Sequence, residues 1–362
     1  MTETVDLAQW GWDEEWASAF APFAESGMWP GRVTAQHRGA WLVIGEKGEA
    51  TASPTGKLRR QAEDGAYPTV GDWVVCLDTP HGGAAAIHAT LPRRSAFRRR
   101  AAGSRPWAQT IAANVDTLFI ATSINGDLNP RRLERYAAMG RESGADPVLI
   151  LTKSDLAPDH AEIASRLEAE LRVPAVAISA RTGQGIESVA RWFVAGETLA
   201  LVGSSGVGKS TLLNRLAGEE LMITREVRED DARGRHTTTH RELFLLSNGA
   251  LVLDTPGMRE LGLWDAAEGV DQTFEDIVEL ALRCRFADCS HRFEPGCAIL
   301  REVVEGRLDA SRVKSYRRLA GELAEQPTSL AVRRERERRF SKAVRNVSAE
   351  RMARKTYRDG SY

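Results

Sequence analysis

The segment Gly203-Ser204-Ser205-Gly206-Val207-Gly208-Lys209-Ser210-Thr211 constrains this chain more than any other. It fits G-x-x-x-x-G-K-[ST] in full and stands between the apolar run Leu199-Ala200-Leu201-Val202 and the helical pattern Leu212-Leu213-Asn214-Arg215-Leu216. A strand that turns through glycines into a helix directs backbone N–H groups and the positive end of the helix dipole at one point, which suits a phosphate. Lys209 is expected to reach the β- and γ-phosphates of a nucleotide, and the Ser210 hydroxyl to hold Mg²⁺. Such a loop needs an α/β sheet around it. Apolar runs at Thr117-Leu118-Phe119-Ile120, Val148-Leu149-Ile150-Leu151 and Ala175-Val176-Ala177-Ile178 alternate with helical stretches near 130 to 143, 160 to 171 and 186 to 194. The alternation predicts a parallel sheet covered on both faces.

A second phosphate motif lies downstream, where the run Leu251-Val252-Leu253 ends in Asp254-Thr255-Pro256-Gly257. Asp254 at the strand end is suited to hold Mg²⁺ through water, and the Gly257 N–H to meet the γ-phosphate. Between the two motifs, Gly234-Arg235-His236-Thr237-Thr238-Thr239-His240 is polar, and one of its hydroxyls would complete the Mg²⁺ shell. Which threonine does so is open.

Thr152-Lys153-Ser154-Asp155 and Ser179-Ala180 each follow a predicted strand and resemble the N-K-x-D and S-A pair with which GTPases read guanine. A carboxylate at Asp155 accepts from both N1–H and the exocyclic amine of guanine, a donor pair that adenine lacks, so GTP is favoured over ATP and a phosphate-loop ATPase or kinase is disfavoured. Thr152 stands where the motif has Asn, and the expected consequence is loss of an amide that ties neighbouring loops. The alternative for T-K-S-D is a helix N-cap at Ser154 or Asp155. In an ordinary GTPase the phosphate loop comes first; here the base motif at 152 precedes the loop at 203. The order is circularly permuted, yet every piece still falls at a strand C-terminus, where one sheet can assemble one pocket.

Cys284, Cys289, His291 and Cys297 form C-x4-C-x-H-x5-C, three thiolates and an imidazole that make a closed set for one structural Zn²⁺. Cys76 lies apart in a β-rich region and reads as core packing. That region, from Arg32 to His88, has short alternating segments between Gly and Pro turns and predicts a small barrel. The 362-residue chain has a net charge of −1, but the charge is unevenly spread: residues 1–30 carry −6, 31–115 carry +6 and 331–362 carry +7. The stretch between Asp78 and Asp116 holds no acid, and its arginines (Arg93, Arg94, Arg98, Arg99, Arg100, Arg105) read as an exposed linker suited to a phosphate-rich partner. No apolar run approaches 18 residues and the N-terminus is acidic, so a soluble, cytoplasmic protein without a membrane partner is expected.

Barrel, permuted GTPase order and zinc quartet together resemble the RsgA family of small-subunit-dependent bacterial GTPases. The resemblance rests also on Val70-Gly71-Asp72-Trp73-Val74 and Ala112-Ala113-Asn114-Val115-Asp116. The resemblance covers about residues 31–325 and implies a multidomain chain: an OB-fold (31–105), a circularly permuted GTPase domain (106–265) and a helical zinc-binding module (266–330). Outside it, an acidic, Trp-bearing extension of open role (1–30) and a basic C-terminal helix or tail (331–362) are expected. The resemblance further implies GTP and GDP as ligands and the small ribosomal subunit and its rRNA as partners; a monomer is expected. Met258 follows Gly257 where Ras-like enzymes place a water-orienting Gln, so slow intrinsic turnover is expected. His236 is the candidate to replace that Gln when the subunit orders its loop; the alternative is that it caps the loop or touches rRNA. An RNA-binding scaffold with a structural nucleotide is the other class of function in view.

Overall fold

The short alternating segments near the N-terminus form β1 (Trp29–His37), β2 (Ala40–Gly45), β3 (Gly48–Pro54), β4 (Trp73–Leu77) and β5 (Ala85–Thr90). They pair in the order β1-β2-β3-β5-β4, and β4 pairs back onto β1, which closes the barrel in the strand order of an OB-fold. A short helix, α1 (Glu14–Ala24), precedes them, and α2 (Gly56–Gln61) follows β3. This computed structural model describes residues 4–24, 26–37, 39–61, 67–80, 83–100, 108–204, 206–217, 241–254 and 267–324. The chain divides into two units, Met1–Trp264 and Asp265–Tyr362. Val33, Val43, Val74 and Ile87 are fully buried. Cys76 is buried with them, and burial pushes its thiol up to about 12, as befits a packing residue.

The acidic extension, whose role the sequence leaves open, is part of the same core. Leu7, Trp16 and Phe20 bury against Trp73, Val75 and Leu91, and Trp12 meets Trp73 edge-on at 4.7 Å. Its carboxylates serve the docking: Asp13 and Glu15 take the Arg94 guanidinium at 2.8 and 2.6 Å, and that guanidinium lies 4.6 Å over the Trp16 ring.

The expectation of an exposed arginine linker is overturned for Arg93, whereas Arg94 stays exposed although it is paired. Arg93 binds both oxygens of Asp72 at 2.7 Å, and the Asp72 side chain is 0% exposed. Asp72 also accepts the Thr69 N–H at 2.8 Å, which closes the turn ahead of β4. The next residues form a hairpin, β6 (Ala96–Arg100) and β7 (Ala108–Ala113). Gly71 makes the hairpin's approach possible: its φ is +90°, and a Cβ there would lie 2.0 Å from the Ala113 carbonyl oxygen.

The remaining strands of this unit are β8 (Thr117–Ser123), β9 (Asp146–Thr152), β10 (Ala175–Ala177), β11 (Thr198–Gly203), β12 (Arg241–Leu245) and β13 (Leu251–Asp254). They lie in the order β10-β9-β8-β11-β13-β12. Helices α3 (Pro130–Ser143), α4 (His160–Leu171), α5 (Ile186–Ala190) and α6 (Lys209–Ala217) connect them. Five strands run parallel as expected, but β12 is antiparallel to β13, which corrects the purely parallel expectation. The sequence reading also missed β12, because only Leu243 of its residues is buried and the apolar signal is thin. This strand pairs with β1 through Ala35↔Glu242 and Gln36↔Arg241, so sheet and barrel are one hydrogen-bonded surface. Arg32, 2% exposed, binds across the same junction: its guanidinium donates to the Trp10 carbonyl, to Thr198 Oγ1 at 2.8 Å and to the Asn114 carbonyl at 3.2 Å.

The described part of the second unit is helical: α7 (Ala267–Thr273), α8 (Glu275–Ala281), α9 (Ala298–Val304) and α10 (Ala310–Ala324). Phe274 is its fully buried centre, and Arg312 lies 4.8 Å over that ring while binding Asp276 at 2.8 Å. Among the described residues of the whole chain, no helix is long and apolar enough to cross a membrane.

Candidate functional site

The phosphate loop runs from the end of β11 to the first turn of α6. Gly203 is required at its entry: its φ is +145°, and a Cβ would lie 2.2 Å from the Ala121 carbonyl oxygen on β8. Gly206 and Gly208 also have positive φ, 71° and 103°, conformations that turn the backbone toward the loop's interior. Lys209 Nζ donates to the carbonyls of Gly203 at 2.9 Å and Ser204 at 2.6 Å, so its ammonium lies over the loop that the sequence expects to cradle phosphates. Val207 is buried, Ser210 is half-buried and Thr211 is exposed on α6. Asp254 ends β13, opposite Glu242. Ser205, His236, Gly257, Met258, the segment 234–240 and the tail 331–362 lie outside the described residues.

The base motif comes to this loop from β9. Thr152 Oγ1 donates to the Val207 carbonyl at 2.5 Å, with the Thr122 carbonyl at 3.3 Å as its other neighbour. The expected loss of an inter-loop tie is thus corrected: a hydroxyl performs it with one bond where an amide has two protons to offer. Lys153 has a left-handed backbone (φ 61°), which turns the chain into a 3₁₀ turn over Ser154–Leu156. That turn is not a capped helix. The helix that follows begins only at His160, and its N-cap Asp159 makes no side-chain bond, so the capping alternative for Ser154 and Asp155 falls away.

The two base loops are zipped together. Ser154 N–H donates to the Ile178 carbonyl at 3.0 Å and Ile178 N–H to the Leu151 carbonyl at 2.8 Å, which brings Ser179 and Ala180 beside Asp155. The Ser179 hydroxyl and the Arg181 guanidinium, whose Nη2 is 2.6 Å from Oδ2, hold the Asp155 carboxyl below the usual carboxylate range. Arg181 and Arg215 are the residues the sequence reading missed. Arg181 directly follows S-A, and Arg215 lies in the helix of the phosphate loop, but neither position carries a signal without the fold.

The cysteine cluster fits a metal by its geometry. Sγ of Cys284, Sγ of Cys297 and Nδ1 of His291 are separated by 3.6, 3.6 and 3.8 Å, and the donor atoms of all four residues lie within 4.8 Å of one another. A zinc tetrahedron with Zn–S bonds of about 2.3 Å has edges of roughly 3.8 Å. The N–H groups of Ala298 and Leu300, at the start of α9, donate to Cys284 Sγ at 3.4 Å and Cys297 Sγ at 3.5 Å and so fix where the two sulfurs lie. Glu294 shapes the loop by accepting the N–H groups of Ser290, Arg292 and Phe293. Three thiolates and an imidazole are the donor set of structural zinc.

Comparison with known proteins agrees with this geometry. Residues 90–264 match the family model described as RsgA GTPase. A protein named small ribosomal subunit biogenesis GTPase RsgA from Opitutus terrae is 47% identical over 335 residues, which cover 88% of this chain and 90% of that one. The crystal structure of YjeQ from Thermotoga maritima superposes with a TM-score of 0.61 at 26% identity, over 83% of this chain and 99% of that one. YloQ, described as a circularly permuted GTPase, shares the fold with a TM-score of 0.55 at 24% identity, over 83% and 97% of the two chains. A base motif that precedes the phosphate loop in sequence and meets it in space, with identity at this level over most of both chains, means that this chain belongs to the RsgA GTPase family.

Proposed function

We propose that this protein is a GTP hydrolase that binds the small ribosomal subunit and acts late in its assembly, with hydrolysis serving to time its release. The observation that carries the reading is that Thr152–Asp155, Ser179–Ala180 and Gly203–Thr211 follow the C-terminal ends of β9, β10 and β11 in one sheet, with the Thr152 to Val207 bond linking the first to the third.

In this reading Asp155 accepts from N1–H and the amine of guanine, the Ser179–Ala180 loop bounds the base, and the Lys153 stem lies along it. The N–H groups of Gly203 to Thr211 cradle the phosphates, and Lys209 leaves its loop carbonyls to neutralise the β- and γ-oxygens. Mg²⁺ bound with GTP would be held by Ser210 and, through water, by Asp254, and would supply charge neutralisation at the phosphates. The Gly257 N–H faces the γ-phosphate, and His236 orients the attacking water once the subunit orders its loop. The zinc quartet is structural. The five-part division at 30, 105, 265 and 330 gives RNA contact to the barrel and the basic tail, and gives chemistry to the permuted domain.

Phosphate release from GTP, with and without purified small subunits, tests the reading. Turnover should be slow alone and rise on addition of subunits, GTP should outcompete ATP, and subunit affinity should differ between a non-hydrolysable GTP analogue and GDP. Equal rates with and without subunits would refute the stimulated-GTPase reading, and equal affinities in the two nucleotide states would refute the timer.

A further inference from the structure

The second base loop is anchored by a residue from another element. Arg215, on α6, donates from Nη1 to the Ala180 carbonyl at 3.1 Å. Its guanidinium lies against Gly183, whose φ is +90°; a Cβ there would stand 2.6 Å from Arg215 Nη2. The loop it grips is a closed ring. Ser179 N–H donates to the Gln184 carbonyl at 2.9 Å, Gly183 N–H to the Ser179 carbonyl at 2.8 Å, and Thr182 N–H to Ser179 Oγ at 3.2 Å. The ring is tied to β9 through Ile178, and the anchor on Ala180 adds a tie to α6 that the whole ring feels, including the Ser179 hydroxyl that supports Asp155.

Arg215 stands six residues after Lys209 on the same helix, about 9 Å along its axis at a rise of 1.5 Å per residue. The helix whose first turn closes the phosphate loop thus also reaches the base loop. Thr152 makes the matching link from the other base loop to Val207.

We propose that Arg215 is a positioning residue for guanine recognition: by holding the Ala180 carbonyl it sets the distance between the phosphate loop and the Ser179–Ala180 loop. The proposal rests on the guanine reading above. Arg215 is exposed and among the described residues makes one hydrogen bond, to a carbonyl, so its contribution to overall stability is small, and its effect falls on where the base is held.

The test is equilibrium binding of GDP, ADP and inorganic tripolyphosphate to full-length wild type, Arg215→Ala and Arg215→Lys, with single-turnover hydrolysis at saturating GTP. Arg215→Ala should weaken GDP by roughly fivefold, the scale of one charge-assisted bond at an exposed site. Tripolyphosphate affinity and the saturated hydrolytic rate should be unchanged, because neither depends on the base. Arg215→Lys should recover part of the GDP affinity, since an ammonium reaches the carbonyl without the fork that packs on Gly183. Unchanged GDP affinity in Arg215→Ala overturns the proposal, as does an equal loss for tripolyphosphate or a fall in the saturated rate alone. Arg215→Lys carries the same test should the alanine variant fold poorly. Failure of wild type to prefer GDP over ADP would remove the guanine reading and this proposal with it, and that result is visible before any variant is measured.

Discussion

Two Asp–Arg pairs in the first unit have the same chemistry and opposite consequences. Asp72 and Arg93 meet in the barrel with side-chain exposures of 0% and 15%, and the guanidinium takes both carboxylate oxygens. Asp155 and Arg181 meet at the base loops with exposures of 13% and 78%, through one oxygen. The first pair is enclosed, and its ions are committed to each other. In the second, a water-facing guanidinium holds a carboxylate that, in the proposed function, a guanine base would take over. Burial, not residue type, separates the two pairs, since removing one partner strands a charge only where water is absent.

The largest expected effect is therefore in the barrel. Arg93→Ala should cost about 3–5 kcal/mol in urea unfolding, the usual result of stranding one partner of a buried pair, with GDP affinity unchanged. Burial already pushes the Asp72 carboxyl up, and Arg93 opposes that shift. Without Arg93 the folded-state value rises further, so the penalty should be greatest at neutral pH and shrink as pH falls into the range where Asp72 takes a proton. A penalty independent of pH would show that Asp72 is not the stranded group. Next, Asp155→Asn should lower GDP affinity on the order of 100-fold, two bonds to a charged acceptor being lost. It should also raise affinity for xanthosine diphosphate, whose C2 carbonyl suits an amide donor, and leave the unfolding midpoint in place. A lowered midpoint with unaltered base preference would make Asp155 structural and dissolve the contrast. The smallest effect belongs to Arg181→Ala. The midpoint should not move, while the Asp155 carboxyl, followed by carbon NMR, should rise toward its ordinary value because only the Ser179 hydroxyl and a backbone N–H remain to lower it. GDP binding should then begin to fail at a higher pH than in wild type.

How much of this the sequence disclosed differs between the two regions. The proposed base site was legible because strand C-termini are recognisable from apolar runs, and Thr152–Asp155, Ser179–Ala180 and Gly203–Thr211 each follow one directly. The zinc quartet was legible for a related reason: its four ligands fall within fourteen residues, so spacing alone brings the donors together. The barrel pair was not. Asp72 and Arg93 are 21 residues apart, and Arg93 stands in a stretch without acids that reads as an exposed linker. The pairing of the acidic extension was not legible either: Asp13 and Glu15 stay exposed, and only the fold places Arg94 between them.

By itself the sequence determined the permuted order of motifs, the phosphate-loop pattern and the Cys–His cluster, all set by local backbone requirements and short spacing. Gly203 stands on the border: the motif names it, but the carbonyl that leaves no room for a Cβ there is that of Ala121 on β8. Only the tertiary structure decided which charges are internal, that β12 stitches the barrel to the sheet, and that Thr152 and Arg215 tie the base loops to the phosphate loop. The physical reason is that desolvation and cross-strand pairing depend on what lies within a few ångströms in space, and for Arg32, Arg93 and Arg215 those neighbours come from distant parts of the chain.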